Sequence, residues 1–168
     1  MRAAPRLPLL LGWLTFVLAW PALADPPDGY PFIAYDEGLR LAREQSKPVF
    51  LYFGRFGCGW CDKTNREAFS DAKVKARYTA HYILVYVDAE SGKRLTLPSG
   101  ERITERELGV RLRVMATPMF VYLKPDGSEI FHIPGIQSAG DFLVYDRYVS
   151  EGHYQRETIR EFLARELR

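Results

Sequence analysis

The stretch Val49-Phe50-Leu51-Tyr52-Phe53-Gly54-Arg55-Phe56-Gly57-Cys58-Gly59-Trp60-Cys61-Asp62-Lys63-Thr64 decides how the rest of the chain reads. Val49 to Phe53 is an unbroken apolar and aromatic run without alternation, the pattern of a strand buried on both faces of a helix-covered sheet. Gly54 to Gly57 reads as a turn, and a helix is expected from about Cys58 to Phe69. Cysteines three apart on the first turn of a helix bring their sulfurs close enough for a small-ring disulfide. The first sulfur then faces unpaired helix N–H groups and the positive end of the dipole, which favour thiolate, the nucleophile of disulfide exchange. Arg55 and Lys63 lie nearby and would add to the positive field. Two other readings stand beside the redox pair. A purely stabilising disulfide would close a small loop that constrains the unfolded chain little. A metal site would need ligands from His81, His132, His153, Met115 and Met119, which are scattered without ligand spacing. The strand–CxxC–helix context favours the redox pair, with no metal and no cofactor.

Outward from this stretch the elements alternate. Upstream, Tyr35 to Gln45 reads as a helix with Leu39, Leu41 and Ala42 on its buried side, ended by Ser46-Lys47-Pro48. Downstream, Ser70 is expected to cap a short helix reaching about Tyr78, and Tyr82 to Val87 is a second buried strand ending at Asp88. Residues 89–103 are polar and carry Gly92, Pro98 and Gly100, so they read as a surface insertion. Thr104-Glu105-Arg106-Glu107 has the Thr-x-x-Glu form of a capping box and opens a helix ending near Arg113. Met119 to Leu123 is a third strand, and Lys124-Pro125-Asp126-Gly127 turns the chain into a hairpin partner over Glu129 to Ile133, closed by Pro134-Gly135. Helices follow over about 138–150 and 155–167, the second with Ile159, Phe162, Leu163 and Leu167 on one side. The order β-α-β-α-β-β-α describes one α/β domain with a mixed sheet.

Composition narrows the function. With 168 residues, 47% of them hydrophobic and 26% charged, the chain is of globular type and of single-domain length. A net charge of +2 is too small for a polyanion-binding surface, so no nucleic acid is expected, and two cysteines cannot build a disulfide scaffold or a structural zinc site. Arg2 and Arg6 alone account for the excess charge. They precede the apolar stretch Leu7 to Trp20 and then Pro21-Ala22-Leu23-Ala24, which together have the form of a secretory signal peptide cut after Ala24. An uncleaved anchor is the other reading, but a span needs about 20 apolar residues and this one is short and broken by Pro8. Residues 25–34 form a Pro-rich lead-in. The expected location is the periplasm, an oxidising compartment.

Thr117-Pro118 is the second signal. A proline opening a strand-like run cannot donate to a sheet ladder, and a cis peptide there is one reason for its position. An ordinary trans proline at a strand start is the other, and it is the rule for X–Pro bonds in general. The upstream CxxC tips the choice toward cis.

Together these features resemble the thioredoxin superfamily: strand, Cys58-Gly59-Trp60-Cys61, helix, then Ala116-Thr117-Pro118 before a strand, a Pro-Asp-Gly turn and a terminal helix. The resemblance spans roughly Tyr35 to Arg168 and implies a thioredoxin-like α/β fold, a central mixed sheet of four to five strands flanked by helices. At finer grain the chain is similar to the periplasmic thioredoxins of bacterial sulfur-oxidation (Sox) gene clusters. The carrying residues are Lys47-Pro48, Gly100 with Thr104 to Leu108, Thr117-Pro118, Pro134-Gly135 with Phe142-Leu143, Tyr148-Val149, and Gly152-His153-Tyr154.

The resemblance implies that Cys58 is the exposed attacking thiolate and Cys61 the more buried resolving thiol. Pro118 would be cis and packed across from the pair. The Thr117 backbone would pair with an extended substrate segment by β-strand addition. Gly59 and Trp60 would tune potential and partner choice. It further implies a protein disulfide reductase, a monomer, fed by a membrane thiol-electron transporter, with a sulfur-carrier protein or apocytochrome c as client. A dithiol oxidase or isomerase is the enzymatic alternative. Strong oxidases often carry a histidine between the cysteines, and Gly59-Trp60 offers none. A non-catalytic binding module with a static disulfide is the third reading. The chain departs from the family at two positions. The acid usually buried six residues before the first cysteine is Tyr52 here, and its companion lysine aligns near Leu84. Tyr52 reads as core, with a weak proton donor as the alternative, and proton handling would otherwise fall to water, Asp88 or the backbone.

Overall fold

A computed structural model describes residues 26–166. The signal peptide expected over 1–24, and Leu167 of the expected apolar helix face, lie outside the described residues. Helix α1 spans Tyr35–Gln45 and β1 Val49–Gly54, followed by α2, Gly59–Glu67, and α3, Ala72–His81. Then come β2, Ile83–Asp88, the short strands β3, Arg94–Thr96, and β4, Arg102–Thr104, and helix α4, Glu105–Arg111. The chain ends with β5, Met119–Leu123, β6, Glu129–Pro134, α5, Ala139–Ser150, a 3-10 turn at His153–Gln155, and α6, Ile159–Glu166.

Four strands form one mixed sheet in the order β2-β1-β5-β6. β1 runs parallel to β2, with Val49 opposite Ile83 and Gly54 opposite Asp88, and antiparallel to β5, with Tyr52 opposite Phe120. β1 therefore has neighbours on both edges, and all six of its residues are buried. Its unbroken apolar run resolves into two alternating sets, because successive side chains point to opposite faces. Val49, Leu51 and Phe53 join Leu39 and Ala42 of α1, Val85 and Val87 of β2 and Leu108 of α4 in one core. Phe50 and Tyr52 point the other way, into an aromatic core with Phe69, Tyr78, Phe120, Tyr122, Phe142 and Phe162. α1 lies so close to β2 that a Cβ on Gly38 would run into the Val85 side chain, which explains a glycine in mid-helix.

Some local expectations shift. Leu41 of α1 is only half-buried, and the inner face is completed instead by Tyr35 and Gly38. Asp71, not Ser70, caps α3: its carboxylate accepts the Lys73 and Val74 N–H groups at 2.7 and 3.0 Å. The Ser70 hydroxyl turns back to the Arg66 carbonyl at 2.6 Å, so it closes the preceding helix rather than opening the next. α3 then runs on to His81 instead of stopping near Tyr78. Residues 89–103 are not irregular surface chain throughout. β3 pairs antiparallel with β4, and Leu95 and Ile103, directly opposite each other, are buried in the α1-side core. The Thr104–Glu107 capping box opens α4 as its residues require. The lead-in is also packed: the Tyr30 hydroxyl donates to the Phe69 carbonyl at 2.9 Å, and Ile33 bridges to β2 at Val85.

On the aromatic side, α3 and α5 are tied by a buried charge. Asp146 is wholly buried on α5 and accepts from Arg77 Nε, while His81 Nδ1 lies 2.7 Å from its other oxygen. Both partners come from α3, which satisfies a carboxylate that would otherwise be costly to bury. No helix among the described residues is long and apolar enough to cross a membrane.

Candidate functional site

β1 ends at Gly54, where its parallel neighbour β2 ends at Asp88, and the chain turns through Arg55–Gly57 into α2. The Cys58 N–H donates to the Arg55 carbonyl at 3.3 Å and closes this turn. Cys58 is the N-cap of α2, and its Sγ occupies the position a capping oxygen would take, accepting the Cys61 N–H at 3.1 Å. The two cysteines form a disulfide, with sulfurs 2.13 Å and Cα atoms 5.2 Å apart.

The loop before β5 arrives from the other side. The Thr117–Pro118 peptide bond is cis, and the Pro118 carbonyl accepts the Gly135 N–H at 2.8 Å, which binds this loop to the one after β6. The Thr117 hydroxyl lies 3.3 Å from Cys58 Sγ. Cys58 is thus flanked by a backbone N–H, a hydroxyl and the positive end of a helix. When the disulfide opens, all three favour the anionic form of this sulfur. The family resemblance implies a role for Thr117 through its backbone; the contact of its side chain with the sulfur is not legible from spacing.

The exposed Cys58 implied by the family resemblance is not what the structure shows. Cys58 is 3% exposed and Cys61 4%, so the sulfurs are buried alike. What stands out at this end of the sheet are neighbouring apolar side chains: Phe56, Trp60, Met115 and Ile136 are exposed. Gly59 has open space where a Cβ would sit, so no close approach demands glycine there. Trp60 points to solvent, and its carbonyl accepts the Thr64 hydroxyl at 3.0 Å.

Tyr52 is wholly buried beneath the site, with its ring 4.9 Å from that of Phe120 and its hydroxyl donating to Asn65 Oδ1 at 3.2 Å. Burial, with Tyr86 and Asp62 adding to it, holds this phenol far above its ordinary range, so it stays protonated at neutral pH. It is a packed core residue with one hydrogen bond to α2. Asn65, four residues beyond Cys61 on the same helix face, was not singled out by the sequence reading, although helical spacing places it under the pair. Asp88 is half-buried and accepts the Glu90 N–H at 2.9 Å, which shapes the turn after β2. Arg55 and Lys63 each face a carboxylate loosely, Glu90 at 3.7 Å and Glu67 at 3.9 Å, so neither is an uncompensated charge beside the sulfurs.

Replacing Thr117 by the isosteric valine removes one donor to Cys58 and keeps the shape. The Thr117→Val protein is expected to hold the Cys58 thiolate less favourably, by about 1.4 kcal/mol. Because the lost bond favours the reduced form, the reduction potential falls, by roughly 30 mV above the thiol pKa. Thiolate absorbance against pH and redox equilibration check both, and unchanged values would show that the hydroxyl leaves the sulfur on reduction.

A family model described as a thioredoxin-like domain matches residues 35–150. Among curated proteins, mouse Spermatogenesis-associated protein 20 is 32% identical over 66 residues, which is 39% of this chain and 8% of that protein. An uncharacterized protein of Archaeoglobus fulgidus is 33% identical over 66 residues, 39% of this chain and 50% of the archaeal one. The chain therefore spans only a small part of the mouse protein and half of the archaeal protein. Among solved structures, a thioredoxin-fold protein from Helicobacter pylori superimposes with a TM-score of 0.62 at 23% identity, covering 73% of this chain and 81% of that one. A thioredoxin from Thermus thermophilus gives 0.59 at 28% identity, covering 71% and 86%. The DsbH oxidoreductase gives 0.57 at 19% identity, covering 73% and 85%. The likenesses below a quarter identity speak for the fold alone.

Proposed function

Because the chain belongs to the thioredoxin-like domain family, we propose that it is a periplasmic thiol–disulfide oxidoreductase working as a protein disulfide reductase. The observation that carries this reading is the Cys58–Cys61 disulfide at the N-terminus of α2, with the Cys61 N–H and the Thr117 hydroxyl both on Cys58 Sγ. Opened by a donor, the pair becomes a dithiol in which Cys58 is the favoured thiolate. That thiolate attacks a substrate disulfide and forms a mixed disulfide. Cys61 then attacks Cys58 Sγ, which releases the reduced substrate and restores the pair.

The reducing direction is favoured by the residues between the cysteines, since strong oxidases stabilise their thiolate heavily, often with a histidine there, and Gly59-Trp60 offers none. Export is inferred from Arg2, Arg6, the Leu7–Trp20 stretch and the Ala22-x-Ala24 exit. A reductant in an oxidising compartment needs electrons from elsewhere, so a membrane thiol-electron transporter is its donor. The similarity to the Sox-cluster thioredoxins points to a sulfur-carrier protein with a reactive cysteine as client, with apocytochrome c as the second candidate.

Equilibration against dithiothreitol and glutathione buffers, with insulin reduction measured alongside, tests this. The expected midpoint is near the thioredoxin value of about −270 mV, with insulin reduced catalytically. A midpoint near about −120 mV would reverse the direction to oxidase. A pair that resists mild reductant and leaves insulin intact would make the disulfide a static one.

A further inference from the structure

A cleft of about 220 Å³ opens beside the sulfur pair, walled by Arg55, Ala89, Glu90, Val114, Met115 and the Ala116–Thr117 segment. Thr117 belongs to both cleft and pair, because its hydroxyl is 3.3 Å from Cys58 Sγ. Arg55 is held next to the same cysteine by its carbonyl, which accepts the Cys58 N–H at 3.3 Å. Glu90 is fixed by its backbone on two sides: its N–H donates to Asp88 Oδ1 at 2.9 Å, and its carbonyl accepts Arg106 Nη2 at 2.7 Å. The two charged side chains themselves are only loosely engaged. Arg55 Nε is 3.7 Å from Glu90 Oε1, and Arg55 Nη1 donates to the Phe56 carbonyl at 3.3 Å. A guanidinium has five N–H donors, so Arg55 keeps most of its capacity, and the Glu90 side chain is 63% exposed.

The cleft therefore presents one cation and one anion, both able to take a new partner, against the apolar wall of Val114 and Met115. A ligand with a carboxylate alone gains Arg55 but meets Glu90, and a ligand with an ammonium alone meets the reverse. A ligand carrying both finds a partner for each. The volume suits a single amino-acid head and not a folded segment. In a disulfide built from free amino acids, that head sits two carbons from the reacting sulfur, so a sulfur over Cys58 places it on the Thr117 side.

We propose that this cleft binds the free α-amino-acid head of a low-molecular-mass disulfide, Arg55 taking the carboxylate and Glu90 the ammonium, and that such disulfides are reduced at Cys58. Cystine is the simplest of them. The inference rests on the dithiol chemistry proposed above and names a substrate class for it. The Cys58 thiolate attacks one sulfur of cystine. The cystine S–S bond breaks, one cysteine stays bonded to Cys58, and the other leaves as a thiolate that takes a proton from water. Cys61, having lost its proton to water, attacks Cys58 Sγ, closes the 58–61 disulfide and expels the second cysteine. Two electrons pass from the protein dithiol to cystine, and two cysteines result.

Single-turnover oxidation of the full chain tests this, with the protein reduced beforehand by dithiothreitol and freed from it. Four probes are used: cystine, cystamine with ammonium groups only, dithiodipropionate with carboxylates only, and neutral bis-hydroxyethyl disulfide. Dividing each rate by that disulfide's rate with dithiothreitol removes the reactivity of the leaving thiol itself. Cystine is expected to give the highest normalised rate. Arg55→Ala and Glu90→Gln are each expected to lower the cystine rate relative to the neutral probe about fivefold, the size of a half-exposed ionic contact. Equal normalised rates for all four probes, or dithiodipropionate matching cystine, would overturn the subsite and leave the dithiol reading standing. A reduced protein that reacts with none of the four would remove both.

Discussion

Cys58→Ser is expected to lose insulin reduction down to the background of the assay, a fall of more than about 1,000-fold, while Cys61→Ala is expected to lose turnover but keep the first chemical step. The two outcomes differ because the sulfurs are inequivalent although they are equally buried. Cys58 Sγ receives the Cys61 N–H and the Thr117 hydroxyl, and it sits at the end of α2. The first of these donors is a backbone group, so it survives replacement of the Cys61 side chain by alanine. In Cys61→Ala the Cys58 thiolate therefore keeps its stabilisation, attacks a disulfide and waits as a mixed disulfide with nothing to release it. Non-reducing gels and intact mass of the protein incubated with insulin should show this adduct for Cys61→Ala and none for Cys58→Ser. An adduct of equal yield on the Cys58→Ser protein would mean that Cys61 is the attacking sulfur and that the donors around Cys58 serve structure only.

The largest effect on stability is expected at Phe50. Its side chain is wholly buried on the aromatic face of β1, with ring centroids 4.8 Å from Tyr78, 5.2 Å from Tyr122 and 5.7 Å from Phe120. Phe50→Ala removes this ring from a site fixed on both edges by β-ladders, so the neighbours close the space only in part. The cost is about 3–5 kcal/mol from lost burial and residual cavity. In a domain whose total stability is about 5–15 kcal/mol, that lowers the melting temperature by roughly 10–20 °C. Phe50→Leu keeps most of the volume and should cost less than about 1.5 kcal/mol. Trp60→Ala, which removes a still larger ring but one 61% exposed, should stay within about 0.5 kcal/mol. Urea unfolding of the oxidised proteins orders the three. A loss below about 1 kcal/mol for Phe50→Ala would show that the aromatic core repacks freely.

Much of the architecture was readable before any coordinates, and the reasons are local. The continuous apolar run at Val49–Phe53 announces a strand buried on both faces, and it is central in the sheet, as is the strand read at Met119–Leu123. Tyr82–Val87, also read as a buried strand, lies at the sheet edge with Ile83 and Tyr86 only half-buried. The Thr104–Glu107 capping box is a four-residue signal that carries its own hydrogen bonds, and it forms as written. Where two neighbouring residues competed, the sequence had no way to choose. Ser70 and Asp71 are both good caps, and the carboxylate wins because the Ser70 hydroxyl is taken by Arg66 one turn back. Strands β3 and β4 escaped notice because each is three residues long, too short for a period of two to show. Leu95 and Ile103 find their burial in a core built by distant helices.

The site divides in the same way. Cys58 and Cys61 were identifiable because strand, turn, cysteine pair and helix follow one another without interruption, so chemistry and support are encoded in adjacent residues. The near-equal burial of the two sulfurs, the Thr117 hydroxyl on Cys58 and the Arg55–Glu90 cleft depend on three loops meeting at one end of the sheet. Thr117 and Cys58 are 59 residues apart in sequence. No spacing rule reaches that far, because the separation is set by how β1 and β5 pair. By itself, then, the sequence determined the strand pattern, the redox pair and the helix that carries it, all of which rest on contacts within a few residues. Which groups face the sulfur, and what charge waits beside it, only the tertiary structure decided, because hydrogen bonds and ion pairs between loops exist only once the sheet has brought them together.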